Sequence, residues 1–143
     1  METPYSCQRS STGVSNYNLY LGNAERAAQE FQRALRLSPL DPIAYRTFAG
    51  LSFACLFRRR FDEAVQWGTK AIEANTNFAP THRALAASLA QAGRTQEAEV
   101  VAKQLIGLVP GLTLAGFTHD TRFRHPPDFD LLIEGMRKAG LPE

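Results

Sequence analysis

Ala27-Ala28-Gln29-Glu30-Phe31-Gln32-Arg33-Ala34-Leu35-Arg36-Leu37-Ser38-Pro39 decides the fold, because the chain writes this pattern three times. The second copy is Ala64-Val65-Gln66-Trp67-Gly68-Thr69-Lys70-Ala71-Ile72-Glu73-Ala74-Asn75-Thr76, and the third runs from Ala98 to Pro110. Their first alanines lie 37 residues apart, from 27 to 64, and then 34 apart, from 64 to 98; Ala34, Ala71 and Leu105 repeat both steps. Upstream, Tyr45-Arg46-Thr47-Phe48-Ala49 matches His82-Arg83-Ala84-Leu85-Ala86 at a step of 37. The two steps together predict three extra residues in the middle copy between Phe48 and Ala64. Their expected place is Phe57-Arg58-Arg59-Arg60, which would make the first helix of that copy almost a turn longer.

Each copy reads as two helices. Ala27, Ala64 and Ala98 are small enough to let paired helices approach closely, while Phe31, Leu35, Phe48, Leu51, Leu85 and Leu89 fall at helical spacing and fill the space between. One such pair cannot bury its own apolar face, but stacked neighbours can, so about three pairs and special ends are expected. Turn chemistry gives boundaries: Asp41-Pro42 as a cap and first helical residue, Gly93-Arg94-Thr95 as a helix stop and a capping threonine, Pro110-Gly111 as a break. Helices are predicted over 24–37, 42–57, 61–74, 79–92 and 95–108. After Leu112 a short turn is expected at 113–117. A last amphipathic helix is expected over 127–139, with Phe129, Leu132, Ile133 and Met136 on one face, closing the stack as a C-terminal cap.

Composition narrows the classes. A chain of 143 residues, 44% hydrophobic and 21% charged, can bury a core of its own and is neither a disulfide-stapled miniprotein nor a disordered tail. No apolar run reaches the roughly 18 residues of a membrane helix, and Met1-Glu2-Thr3-Pro4 does not open a signal peptide, so the expectation is a cytoplasmic chain with no membrane partner. Cys7 and Cys55 read as free thiols. Residues 1–13, rich in Ser and Thr, read as a disordered leader or linker.

The 34-residue period, the paired helical patterns and the order of aromatic, small and closing proline resemble the tetratricopeptide repeat (TPR). Residues 79–112 carry the pattern in full through Leu85, Ala86, Leu89, Gly93, Ala98 and Pro110, with His82 in place of the usual tryptophan or tyrosine. Residues 42–78 keep Tyr45, Phe48, Ala49, Ala64 and Ala71, but place Arg59 where the other copies have Gly22 and Gly93. A partial copy spans about 8–41, with Ser11, Ser15 and Asn18 at places the family fills with larger or apolar residues. The resemblance implies an all-α, right-handed superhelix of about three TPR helix pairs over 14–112, with a connector and capping helix over 113–143.

The tail Phe123-Arg124-His125-Pro126-Pro127-Asp128-Phe129-Asp130-Leu131-Leu132 through Glu143 looks like the closing segment of the TPR region at the C-terminus of bacterial class III adenylate/guanylate cyclases and related multidomain regulators. Leu35-Arg36-Leu37-Ser38-Pro39-Leu40-Asp41-Pro42 and Asn77-Phe78-Ala79-Pro80 share that likeness. It implies a regulatory tail whose catalytic domain would lie upstream, with a stand-alone adaptor as the alternative. Cyclase activity is not expected of these residues, because the repeats already use about 120 of them.

No catalytic, metal or cofactor residues are predicted. His119, Asp120, His125 and Asp128 match no closed zinc spacing and read as solvated polar residues. No phosphate-cradling glycine loop and no nucleophile elbow is present. Arg58-Arg59-Arg60 reads as a solvated turn, not as a nucleic-acid contact, at a net charge of only +2. Trp67 reads as packed between helices. What remains is a concave groove that, on the family pattern, binds a protein or peptide partner. Placing the sequence on that pattern puts Arg46, Gly50, Phe53, Arg83, Ala87 and Gln91 there. Arg46 and Arg83, read as one repeat apart, would pair with carboxylates and Phe53 would offer apolar contact. Gly50 and Ala87 stand where chaperone-tail clamps carry asparagines, which argues against that class. A short first helix over 14–21 would leave Phe31 and Leu35 exposed, so self-association through the N-terminal end is also expected.

Overall fold

The computed structural model describes residues 18–38, 40–120 and 123–143, and these are all-helical, without a strand. After a helical stretch at 18–20 come α1 (Ala24–Leu37), α2 (Ala44–Phe57), α3 (Phe61–Ala74), α4 (Ala79–Gln91), α5 (Thr95–Leu108), α6 (Leu114–Asp120) and α7 (Pro126–Lys138). The five helices expected between 24 and 108 are present, with ends displaced by two residues at most. The turn expected at 113–117 is a short helix, α6. Residues 1–13, Cys7 and residues 14–17 of the partial copy lie outside the described residues.

Two caps differ from expectation. The Asp41 side chain accepts the Ile43 N–H at 3.0 Å, a local turn that competes with a helix cap, so α2 begins only at Ala44. Thr95 is the first residue inside α5 and makes no cap bond; the Arg94 carbonyl takes the Ala98 N–H at 3.1 Å instead. Three equivalent turns follow the first helices of the pairs, and each reverses through a left-handed residue: Gly22 at φ 91°, Arg59 at φ 60° and Gly93 at φ 84°. Glycine enters that region freely and arginine does not.

The register also differs from the sequence match. From α2–α3 to α4–α5 the step is 34 throughout: Phe57 to Gln91, Phe61 to Thr95, Ala74 to Leu108. From α1 to α3 it is 37, from Ala24 to Phe61. The surplus residues therefore lie in the connection 38–43 between α1 and α2, not at Phe57–Arg60, and α2, at 14 residues, is scarcely longer than α4, at 13. Phe48 occupies the place of His82 and Leu51 that of Leu85; Arg46 falls level with Pro80, not with Arg83. The resemblance of Tyr45-Arg46-Thr47 to His82-Arg83-Ala84 is a coincidence three residues out of phase with the packing.

Sequence-adjacent helices pack on one another from α1 to α5, and α2 also packs on α4. Every residue of α2 from Ala49 to Phe57 is buried, which explains its continuous apolar run: α1, α3, α4 and α7 all cover it. Ala27, Ala64 and Ala98 are fully buried, at 0% exposure, as close helix contact requires. Phe31, Leu51, Leu85 and Leu89 join the same core, while Phe48 stacks on Trp67 at its margin, 5.9 Å between ring centroids. Of the buried hydroxyls, Ser52 Oγ donates to the Ala64 carbonyl at 2.8 Å and Ser88 Oγ to that of Ala84 at 2.7 Å, whereas Thr81 Oγ1 makes no hydrogen bond among the described residues.

Phe31 is 1% exposed, because its ring fills the space left by the missing side chain of Gly50. Phe31 is therefore not exposed as expected, and Leu35 is half-buried. The exposed large apolar residues of that region are Leu21, before α1, and Leu37, Leu40 and Ile43, in and beside the α1–α2 connection.

Candidate interaction face

The first helices of successive pairs share one face, and the C-terminal segment lies across it. Positions 20, 57 and 91 are equivalent in the repeat register, and all three meet this segment. The Phe123 ring packs against Tyr20, Phe53 and Phe57 at centroid distances of 5.1, 5.4 and 5.3 Å, while the Arg124 N–H donates to the Tyr20 carbonyl at 2.8 Å. Gln91 Nε2 donates to the Leu131 carbonyl at 3.0 Å and Gln91 Oε1 accepts from Lys138 Nζ at 3.3 Å. Leu131 lies by Gln91 and Gly135 by Ala87, so α7 runs antiparallel to α4.

Small residues make this approach feasible. A Cβ on Gly135 would stand 2.8 Å from the Ala87 Cα, Cβ and carbonyl oxygen, so only glycine fits without displacement. Leu132 and Met136 are fully buried beside it. The buried side of α7 is centred on Asp128, Leu131, Leu132, Gly135 and Met136; Phe129 and Ile133, expected at its centre, lie at its edges. Phe129 stacks instead on Phe117 of α6, 6.2 Å between centroids. The chain end closes back as well, with the Leu114 N–H donating to the Pro142 carbonyl at 2.8 Å.

The predicted groove residues are thereby redistributed. Phe53 and Ala87 are buried under the C-terminal segment and Gln91 is engaged by it, so none of the three is an open groove contact. Gly50 faces α1, where a side chain would overlap Phe31. Arg83 is half-buried with its guanidinium 5.2 Å from the Phe117 ring centroid; burial lowers its pKa, and its Nε has no hydrogen-bond partner among the described residues. Arg46 alone is exposed, on the first turn of α2 beside the Tyr45 ring. The two arginines do not form the repeated pair that their sequence context implied. Sequence reasoning missed Tyr20, Phe57 and Phe123; the glycine of α7 and the 37-then-34 spacing of the turns were the available signals.

The seam also holds charge. Asp128 is 8% exposed, not solvated as expected, and burial raises its pKa above the usual carboxylate range. His125 Nδ1 stands 3.3 Å from Asp128 Oδ2, within ion-pair reach but misaligned, so neither atom makes a hydrogen bond among the described residues. Arg58, Arg59 and Arg60 do form the expected turn, with Arg60 Nη1 3.9 Å from Glu63 Oε2. Buried Cys55 has its thiol pushed up to about 11, by desolvation first and then by the Glu63 carboxylate, which makes it a poor nucleophile. An open hollow of about 880 Å³ runs along α1, lined by Arg26, Arg33 and Arg36 and by Glu25 and Glu30, so its charge is mixed, with one positive charge in excess.

No described helix is long and apolar enough to cross a membrane. Among the described residues no group of three or more His, Cys, Asp and Glu side chains stands together as a metal site. Compared with protein-family models and with curated proteins, the chain matches none.

Proposed function

We propose that this chain is a non-catalytic protein-interaction module of the tetratricopeptide kind, a right-handed stack of about three helix pairs with a C-terminal cap. Its setting, on the sequence resemblance, is the regulatory tail of a bacterial signalling protein such as a class III cyclase. The observation that carries the reading is the shared face of the first helices. Equivalent positions Tyr20, Phe57 and Gln91 all accept one crossing segment, with Phe53 and Ala87 beneath it. A surface that packs a helix through repeated positions is suited to binding helical or extended peptides.

Photo-crosslinking in source cells tests it. A photoreactive residue replacing Arg46, at the edge of that face, is expected to trap a specific protein partner, while one replacing Lys103 on the exposed side of α5 is not. Equal yields from both positions, or none from either, would sink the reading. Turnover of a nucleotide by the purified chain would overturn its non-catalytic half.

A further inference from the structure

The geometry points to α7 as a releasable internal ligand: the face formed by α2 and α4 is a helix-binding groove, and the partner it fits is an amphipathic helix that replaces α7. This rests on the interaction-module reading and specifies its ligand. Three observations support it. First, the groove holds α7 largely through features any suitable helix could supply. Gln91 binds a main-chain carbonyl, that of Leu131, and Ala87 requires a glycine opposite it, where Gly135 stands. Second, α7 runs antiparallel to α4 and packs chiefly on α4, with a lesser contact on α2, so it lies across first helices of two pairs.

Third, the seat is imperfect. Asp128 Oδ2 and His125 Nδ1 face each other at 3.3 Å but misaligned, and neither makes a hydrogen bond among the described residues, so the buried Asp128 carboxyl is incompletely matched. A competing helix with an apolar or hydrogen-bonding residue at the place of Asp128 escapes that mismatch. The replacing helix is therefore of about the length of α7, with Leu or Met at the places of Leu131, Leu132 and Met136, Gly at that of Gly135, and no carboxylate at that of Asp128.

Native-state hydrogen exchange on the full wild-type chain tests release. The amides of α7 are expected to exchange at least about tenfold faster than those of α4, reporting an opening that leaves the array folded. A synthetic peptide of residues 123–143 carrying Asp128→Asn, added in excess, should speed exchange in the chain's own α7 several-fold while α4 stays protected. Exchange of α7 in step with α4, or indifference to the peptide, overturns the proposal. A second arm uses the full chain with Gly135→Leu, which unseats α7. It should bind the labelled peptide at least about tenfold more tightly than wild type, and equal affinity counts against release. If that variant does not fold, the wild-type exchange measurement decides. Indifference to the peptide alongside a partner trapped at position 46 would sink release and leave the interaction reading intact. Displacement without any trapped partner would do the reverse.

Discussion

Gly135 in α7 lies against the backbone of Ala87 in α4, so closely that a Cβ at 135 would stand 2.8 Å from the Ala87 carbonyl oxygen. Glycine inside a helix costs about 1 kcal/mol relative to alanine, and this position returns the cost by letting two helices touch. The same contact orients the C-terminal segment across the first helices, which puts Phe123 on Phe53 and Phe57 and Gln91 on Leu131. The missing side chain at position 135 therefore lets the C-terminal helix cover the shared face at close contact.

Gly135→Ala is expected to destabilise the chain by up to about 2 kcal/mol, the cost of about 1–3 kcal/mol for overpacking a close contact less the roughly 1 kcal/mol that alanine gains over glycine in a helix. The atoms in the way are backbone as well as the Ala87 methyl. Thermal unfolding by circular dichroism checks this. A midpoint above that of wild type would show that α7 is not held against Ala87.

Arg59 stands at φ 60° where the equivalent turns use Gly22 and Gly93. A left-handed conformation costs a side-chain-bearing residue about 1–2 kcal/mol, and glycine loses roughly 0.5–1 kcal/mol of that advantage to the entropy of its unfolded chain. Arg59→Gly should therefore stabilise the fold by about 0.5–1 kcal/mol. In urea the midpoint is expected to rise with the slope unchanged, and a fall would show that the Arg59 side chain stabilises the turn by more than its backbone strain costs.

The helices were legible because their signals are local. The second helices repeat at Ala27, Ala64 and Ala98, and those alanines are buried as close approach demands. The register of the first helices was not legible, because Tyr45-Arg46 and His82-Arg83 resemble each other at positions that packing does not equate. Matching the turns at Gly22, Arg59 and Gly93 recovers the correct steps, since backbone reversal is more constrained than surface chemistry. Placement of α7 was not legible either. Amphipathic spacing marks which side of a helix is buried but not which partner buries it, and the groove residues Phe53, Ala87 and Gln91 were assigned to an outside ligand when the chain supplies its own.

Asp128 gives a prediction with a definite sign. Burial raises its pKa, with the His125 charge opposing, so the folded state holds this proton more tightly than the unfolded chain does. Its contribution is favourable below the usual carboxylate range and declines as pH rises through the raised folded value. Asp128→Asn should accordingly have a higher unfolding midpoint than wild type near neutral pH, with the gap closing toward about pH 4. A gap that stays constant with pH would mean that Asp128 is solvated in the folded chain.

His82 acts in the opposite direction. It is 1% exposed, and burial holds its pKa below the ordinary value of 6.5 despite the compensating bond between Nδ1 and the Phe78 carbonyl at 3.2 Å. The unfolded chain therefore takes up a proton that the fold resists, so stability present above pH 6.5 is lost as pH falls toward the lower folded value. Between about pH 7 and pH 5.5 this loss adds to an acid-side decline. His82→Gln offers the Phe78 carbonyl an amide donor without a titrating group, so the variant should show a smaller decline over that interval even if its midpoint is lower throughout. Equal declines in the two proteins would place the His82 ring in contact with water, and would remove the physical reason for its standing at the position where Phe48 packs in the preceding pair.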